Sequence, residues 1–362
     1  MVPSKMFDKS QAINDFYMNY ANVVRPIFEE QESVRKKHLA LLIFSTIFFI
    51  GLVITFCVVD YLSSLVVIPA ILLIIVVIGI VRNFRLKIKE KCMPLLLQAF
   101  GNIRWSSEAS VISDTKLRSS ELFSTYNKRT NDDTFVGVYK GVKYYVSETN
   151  MWYESGSGKR KTVWPVFNGV VISFASNKVV KNKTIVTTKG DVNVRNSHPI
   201  LWVSAIILLV QILPSFFTGN KMSFDFLLSI WPVFLIIVLY LVIGLFVRKE
   251  GEVLNEIKLE DPEFNKKYQV FSSDEIEGRY LITPSFMERF RTLHTSFGTS
   301  KAKCSFYDDN IMFAISTKKN LFEIGDLFTP LTNPKQVNVF LSEISAIFDL
   351  IDYFKLDEKT GL

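Results

Sequence analysis

The sequence predicts an α+β membrane protein, with four transmembrane helices in two hairpins plus a cytoplasmic antiparallel-sheet domain that the second hairpin interrupts. Two observations lead to this fold class. Four apolar runs without Asp, Glu, Lys or Arg occupy residues 39–59, 62–81, 200–217 and 226–247, and segments with strand and helix patterns lie between and after them. About 20 helical residues cross the ~30 Å hydrocarbon core, where a spanning backbone must satisfy its own hydrogen bonds.

Basic residues at the ends of the apolar runs predict the orientation. They precede the first and third runs and follow the second and fourth, whereas the two short connectors hold only Asp60 in one and Lys221 with Asp225 in the other. Short loops rich in Lys and Arg stay on the cytoplasmic side. We therefore expect a multi-pass protein of the cell membrane with both termini in the cytoplasm.

The chain divides into five segments by composition. We expect an N-terminal amphipathic helix in 1–38, the first transmembrane hairpin in 39–81, a basic strand-rich segment in 82–199, the second hairpin in 200–247, and an acidic segment with a C-terminal helix in 248–362. Strands need sheet partners and a sheet needs a covering layer. The two soluble segments are therefore predicted to build one domain, with two independent domains as the alternative.

Local patterns place the strands and helices of this domain. Residues 135–139 and 142–146 are β-rich runs around Lys140-Gly141, which is typical of a tight hairpin turn. Further strands are predicted at residues 163–174, 184–188, 268–272, 303–307 and 311–316. Pro284 and Pro334, each after a capping residue, predict helix starts. The N-terminal helix is expected to be interrupted near Pro26.

The charge of the chain is unevenly distributed. The net charge is +7, with 20 basic and 9 acidic residues in 82–200 but 15 basic and 19 acidic residues in 248–362. Basic groups beside membrane helices favour the cytoplasmic leaflet, and this explains the positive middle segment without a nucleic-acid partner. The lipid bilayer is the expected partner, and a protein on the cytoplasmic face is a second candidate.

A basic helix is predicted to continue the second apolar run. Its cations are candidates for contact with lipid headgroups, each contributing on the order of 1 kcal/mol near an anionic surface, although a topology signal explains the same residues. The candidates are Arg82, Arg85, Lys87, Lys89 and Lys91.

No catalytic, cofactor or metal site is predicted. Cys57, Cys92 and Cys304 form no metal-binding or disulfide pattern. The run from Gly156 to Lys159 lacks the spacing of a phosphate loop and lies between strands. Acidic clusters occur at residues 132–133, 260–263 and 274–277, for which salt bridges, caps and turns are the preferred interpretation over cation binding or acid–base chemistry.

Several phrases resemble a bacterial membrane-protein family known as domain-of-unknown-function family 3137. They occur at residues 119–123, 132–137, 146–148, 166–172, 183–184, 259–264, 268–274, 277–284 and 286–289. The resemblance implies two N-terminal transmembrane helices and a cytoplasmic domain, and it implies no activity or catalytic residue. The chain departs from the pattern because two further apolar runs separate residues 184 and 259.

The sequence favours a non-enzymatic, membrane-anchored binding or scaffold module that presents a cytoplasmic α+β domain to a protein or lipid partner. An oligomeric channel or transport-associated subunit is the second interpretation, although the apolar runs carry no ionisable residue of the kind that marks a pathway. A membrane-bound enzyme using an acidic cluster is the third. The sequence leaves the oligomeric state and the physiological role open.

Overall fold

The computed structural model describes residues 9–58, 67–176, 180–191, 254–297 and 301–354. All of them except Leu254 belong to a compact unit made of Met1–Asp191 and Asn255–Leu362. The predicted second hairpin, residues 200–247, and the turn between the first two apolar runs lie outside the described residues.

The N-terminal region is helical throughout its described length. Helix α1 (Lys9–Asn19) passes through a π-helical turn (Tyr20–Val24) into α2 (Arg25–Val58). Pro26 has no N–H and cannot continue the normal hydrogen-bond ladder, and the π-helical turn directly before it absorbs this irregularity. The predicted interruption near Pro26 is therefore one turn of altered helix, after which the helix continues into the first apolar run.

One helical stretch among the described residues is long and apolar enough to cross a membrane. It is Lys9–Thr55, whose most apolar part has a mean hydropathy of 2.3 and is not buried inside the protein. Helix α3 (Val67–Leu97) contains most of the second apolar run and continues into the basic segment. The other three predicted spans lie wholly or partly outside the described residues.

The centre of the fold is a nine-stranded sheet in which every described pairing is antiparallel, as predicted. The strand order is β1-β2-β3-β4-β9-β8-β5-β7-β6. The strands are β1 (Arg104–Ser107), β2 (Lys128–Tyr139), β3 (Val142–Ser155), β4 (Thr162–Ala175), β5 (Thr184–Thr188), β6 (Asn255–Ile257), β7 (Tyr268–Ser272), β8 (Lys301–Tyr307) and β9 (Asn310–Ser316).

Strands from both soluble segments belong to this single sheet. Strand β4 pairs with β9, and β5 lies between β8 and β7. Each of these contacts joins the segment before residue 200 to the segment after residue 248. The two segments therefore share one sheet, whereas the division of the chain into five segments stays a prediction.

Two tight turns connect neighbouring long strands. Lys140 and Gly141 both have positive φ angles, 47° and 81°, and join β2 to β3. Asp308 and Asp309 also have positive φ angles, 46° and 55°, and join β8 to β9. Consecutive positive φ angles are the geometry of hairpin turns that match the twist of the strands. Asn310, which lies between the predicted strands at residues 303–307 and 311–316, is the first residue of β9.

Helices begin at capping residues, as the sequence predicted for two of them. Asn333 accepts a hydrogen bond from Lys335 N at the start of the last helix. Short helices that the sequence did not indicate are capped by Ser113, Asp261 and Asp274. The helices are α4 (Asp114–Ser119), α5 (Pro262–Lys267), α6 (Glu275–Leu281), α7 (Pro284–Ser296) and α8 (Pro334–Tyr353).

Helices α3, α7 and α8 cover one face of the sheet, and α1 packs on them through Phe16, whose ring lies 6.2 Å from Phe340 of α8. The Phe348 ring of α8 lies 4.7 Å from Tyr139 of β2 and 5.5 Å from Phe100, which follows α3. The opposite face is covered by α4 and the chain after it, where the Phe123 ring lies 4.9 Å from Phe167 of β4. Burial of apolar side chains on both faces stabilises the sheet.

Candidate functional site

A cleft of about 1130 Å³ lies between α3, the first strands of the sheet and the segment around α4. Its apolar wall comes from Val77, Ile78 and Val81 of α3. One turn further along the same helix, Arg82 and Arg85 also line the cleft. The change from apolar to basic residues along one continuous helix gives the cleft one apolar end and one charged end.

Four arginines line the cleft and differ in their partners. Arg82 pairs with Glu108, and Arg129 pairs with Asp114 at 2.9 Å. Arg85 pairs with two carboxylates, with its Nε 3.4 Å from Glu323 and a terminal nitrogen 3.7 Å from Asp326.

The fourth arginine, Arg118 of α4, is exposed. Its guanidinium lies over the Tyr126 ring at 5.3 Å, and it makes no ion pair with any described residue. Planar guanidinium groups match phosphate and carboxylate geometry. Arg118 is therefore the arginine of this cleft with the most capacity left for an anionic ligand.

A buried ion pair closes the cleft at its inner end. Lys89 is 1% exposed and Asp133 is fully buried. Lys89 Nζ donates to Asp133 Oδ2 at 2.5 Å and to Glu323 Oε1 at 2.9 Å. Trp105 Nε1 donates to the other oxygen of Asp133 at 2.7 Å. Burial alone would lower the pKa of Lys89, but the two carboxylates outweigh it and hold this pKa above its usual value.

Glu148 adds a carboxyl group in which only one of the two oxygens has a hydrogen-bond partner. Its side chain is 7% exposed, Leu321 N donates to Oε1 at 3.2 Å, and Oε2 has no hydrogen-bond partner. Burial raises the pKa of Glu148 to about 8. One oxygen each of Asp132, Asp133 and Glu148 lie within 4.8 Å of one another. These three residues could hold a cation, but Lys89 already places its positive charge on Asp133.

The five predicted headgroup contacts divide between two faces of α3. Arg82 and Arg85 line the cleft, whereas Lys87 and Lys91 are exposed on another face, Lys91 near Glu30 at 3.5 Å. Lys89 does not fit the headgroup interpretation because its ammonium is buried and forms an ion pair with Asp133. Helical spacing predicts this division, since residues 82, 85 and 89 lie on one face of a helix and residues 87 and 91 lie on another.

The acidic clusters singled out in the sequence do not converge. Asp132 and Asp133 lie at the cleft, whereas Glu260 is exposed and paired with Arg279, and Asp274 caps α6. The run from Gly156 to Lys159 forms the turn between β3 and β4. Local patterns do not single out Arg118 or Glu148 as site residues, because their positions at the cleft depend on how distant segments pack.

Comparisons with known proteins give one family and one weak structural likeness. A family model described as "Protein of unknown function (DUF3137)" matches residues 165–356. No curated protein matches the chain significantly. The crystal structure of the mycobacterial trehalose monomycolate transport factor A, TtfA, aligns with a TM-score of 0.32 at 8% identity, covering 72% of this chain and 90% of that one.

The family match spans just over half of the chain and includes strands from both soluble segments. It contains the later phrases on which the resemblance was based, from residue 166 to residue 289, whereas the earlier phrases lie before it. The chain belongs to the DUF3137 family of proteins of unknown function.

Proposed function

We propose that this protein is a non-enzymatic, membrane-anchored binding module whose cleft takes the head of an anionic lipid. The observation that carries the proposal is the change along α3 from Val77, Ile78 and Val81 to Arg82 and Arg85 within one cleft wall. A ligand with an apolar tail and an anionic head matches both ends of such a cleft. Binding clefts of this kind combine apolar walls with a few placed polar groups.

The charge distribution supports a phosphate-bearing head. Arg118 stacks on Tyr126 without an ion pair among the described residues. Charge-assisted hydrogen bonds from guanidinium to phosphate are short and often bidentate. The scattered positions of Glu260 and Asp274 support a binding role over an enzyme that would use a shared acidic centre.

Four membrane helices with cytoplasmic termini complete the proposal. The apolar runs and the basic residues at their ends support it. A membrane-impermeant maleimide applied to intact cells tests it in a Cys57→Ser background. Lys221→Cys, in the second connector, should be labelled from outside, whereas Ser157→Cys should be labelled only after the cells are opened. Labelling of Ser157→Cys in intact cells would refute the orientation.

Lipid binding is tested on the detergent-solubilised full chain by native mass spectrometry with phosphatidylglycerol and phosphatidylcholine. Arg118→Gln should weaken phosphatidylglycerol binding about tenfold to a hundredfold, since hydrogen bonds to charged groups contribute about 1.5–3 kcal/mol. Arg279→Gln is the matched control, because Arg279 is a partly exposed arginine that pairs with Glu260 and Glu275 on α6 and does not line the cleft. Equal losses in the two variants would count against the cleft as the lipid site.

A further inference from the structure

The turn between β3 and β4 combines exposed aromatic and basic residues. Tyr153, Val163 and Trp164 are 37%, 50% and 50% exposed, and the Tyr153 and Trp164 rings lie 5.9 Å apart across the two strands. In sequence the turn carries Lys159, Arg160 and Lys161, and Glu154, the acidic residue of this stretch, pairs with Lys161 at 2.9 Å. Aromatic rings with adjacent cations are the composition that favours a membrane–water interface.

Contacts at two levels show that β2 and α3 run in the same direction. At one level, the Phe348 ring contacts both Phe100 after α3 and Tyr139 at the end of β2. At the other level, Arg82 of α3 pairs with Glu108, whose N–H donates to Asp132 O of β2 at 2.7 Å. The helix from Arg82 to Phe100 and the strand from Asp132 to Tyr139 each advance about 25 Å, as calculated from the rise per residue.

The β3–β4 turn therefore lies on the side of the apolar half of α3. Strand β3 pairs with β2 through Thr149 and Asn131, next to Asp132, and then continues to Ser155. Those six further residues extend about 20 Å beyond the level of Arg82. Even a strand inclined by about 60° to α3 would advance about 10 Å in that direction, more than the roughly 5–7 Å thickness of one headgroup layer, so the tip reaches the membrane surface.

We infer that the turn formed by residues 153–164, here called the β3–β4 tip, enters the headgroup layer of an anionic membrane beside α3. Charge complementarity selects anionic phospholipid, because each basic residue near such a surface contributes on the order of 1 kcal/mol. The β8–β9 turn lies at the opposite end of the sheet, where Asn310 pairs with Ala175, and carries Asp308 and Asp309. The inference rests on the proposed membrane anchoring and adds a second contact to it.

The test places an environment-sensitive fluorophore on the tip of the full chain reconstituted in phosphatidylglycerol–phosphatidylcholine vesicles. Ser157→Cys in a Cys57→Ser background provides the site, because Ser157 is exposed and its side chain makes no capping bond. Cys92 and Cys304 are both fully buried and should not react in the folded protein. Lys143→Cys is the matched control, since Lys143 is exposed near the opposite end of the same strand.

Nitroxide lipids should quench the fluorophore at position 157 severalfold more than at position 143, and its emission should be blue-shifted. Trp164→Ser should reduce this quenching, and Trp164 is exposed enough for the fold to tolerate the change. Equal quenching at positions 157 and 143 would overturn the inference. Alkaline extraction of the same vesicles separates the two proposals. If the protein stays in the membrane but the tip is not quenched, only the inference is refuted. If the protein is extracted, the membrane anchoring is refuted as well.

Discussion

Lys89 joins α3 to the sheet through a buried ion pair. Its ammonium contacts Asp133 of β2 and Glu323, which lies in the segment after β9. One side chain thus connects three parts of the chain that are far apart in sequence. A buried charge is tolerated only when partners compensate it, so the position of α3 depends on this contact.

We predict that Lys89→Met destabilises the protein by about 3–5 kcal/mol, because it leaves Asp133 and Glu323 buried without their cation. The free energy of unfolding in detergent, from denaturant titration, measures the change. Lys87→Met is the control, since Lys87 is exposed on another face of α3 and should change stability by less than about 0.5 kcal/mol. Adding Asp133→Asn to Lys89→Met should restore part of the loss, and equal effects of the two lysine variants would contradict the prediction.

Glu343 of α8 is predicted to make stability depend on pH. Its side chain is 7% exposed, it accepts a hydrogen bond from Phe322 N at 2.6 Å, and burial raises its pKa from 4.5 to about 7. The folded state therefore holds a proton that the unfolded state releases between about pH 4.5 and 7. The resulting stabilisation, of the order of 3 kcal/mol at most, is present below this range and is lost as the pH rises through 7.

Glu343→Gln keeps an acceptor for Phe322 N and removes the ionisation. Unfolding midpoints measured from pH 5 to pH 8 should fall more steeply in the wild-type protein than in this variant. Parallel curves would show that Glu343 does not contribute to the pH dependence.

Among the elements, β4 connects the two soluble segments through its pairing with β9. Gly169 in β4 has a φ angle of 152°, and a Cβ atom at this position would lie 2.1 Å from Ile315 O of β9. Glycine is required there both by the backbone conformation and by the close approach of the neighbouring strand.

We predict that Gly169→Ala costs roughly 3 kcal/mol or more of stability, since it combines backbone strain with a steric clash. Amide hydrogen exchange should show loss of protection in β4 and β9 before the other strands. Asn168→Ala is the control, because Asn168 is the exposed neighbour on β4. The prediction is wrong if protection in β9 is unchanged in the glycine variant.

The helices and turns follow local rules, and for this reason they were largely predictable. The Lys140-Gly141 hairpin, the strand at Thr184–Thr188 and the helices starting at Pro284 and Pro334 lie where the patterns placed them. The three-residue strand β6 and the six-residue helices α4 and α5 were missed, because segments this short carry too little periodicity to be recognised.

At the scale of the whole molecule, one sheet is built from chain segments on both sides of residues 192–254. Without the first segment, β8 and β9 would lose β5 and β4 and leave two unpaired edges. A two-stranded hairpin alone is marginal in water. We expect the C-terminal segment to depend on the first segment for its stability.

This dependence predicts that residues 255–354 alone show no cooperative unfolding transition. A full chain in which about 15 Gly/Ser residues replace 192–254 should unfold cooperatively, because such a linker is long enough to cross the sheet from β5 to β6. Circular dichroism during urea titration distinguishes the two outcomes. A cooperative transition in the isolated segment would show that it is an independent domain.

The sequence by itself determined the apolar runs, the strand-forming stretches, the hairpin turns and the main helix starts, because each depends on neighbouring residues. The tertiary structure alone decided that β4 pairs with β9, that Lys89 is buried on Asp133, and that Arg118 and Glu148 share a cleft with α3. These contacts join residues far apart in the chain, and their register depends on how whole elements pack. Local patterns do not contain that information.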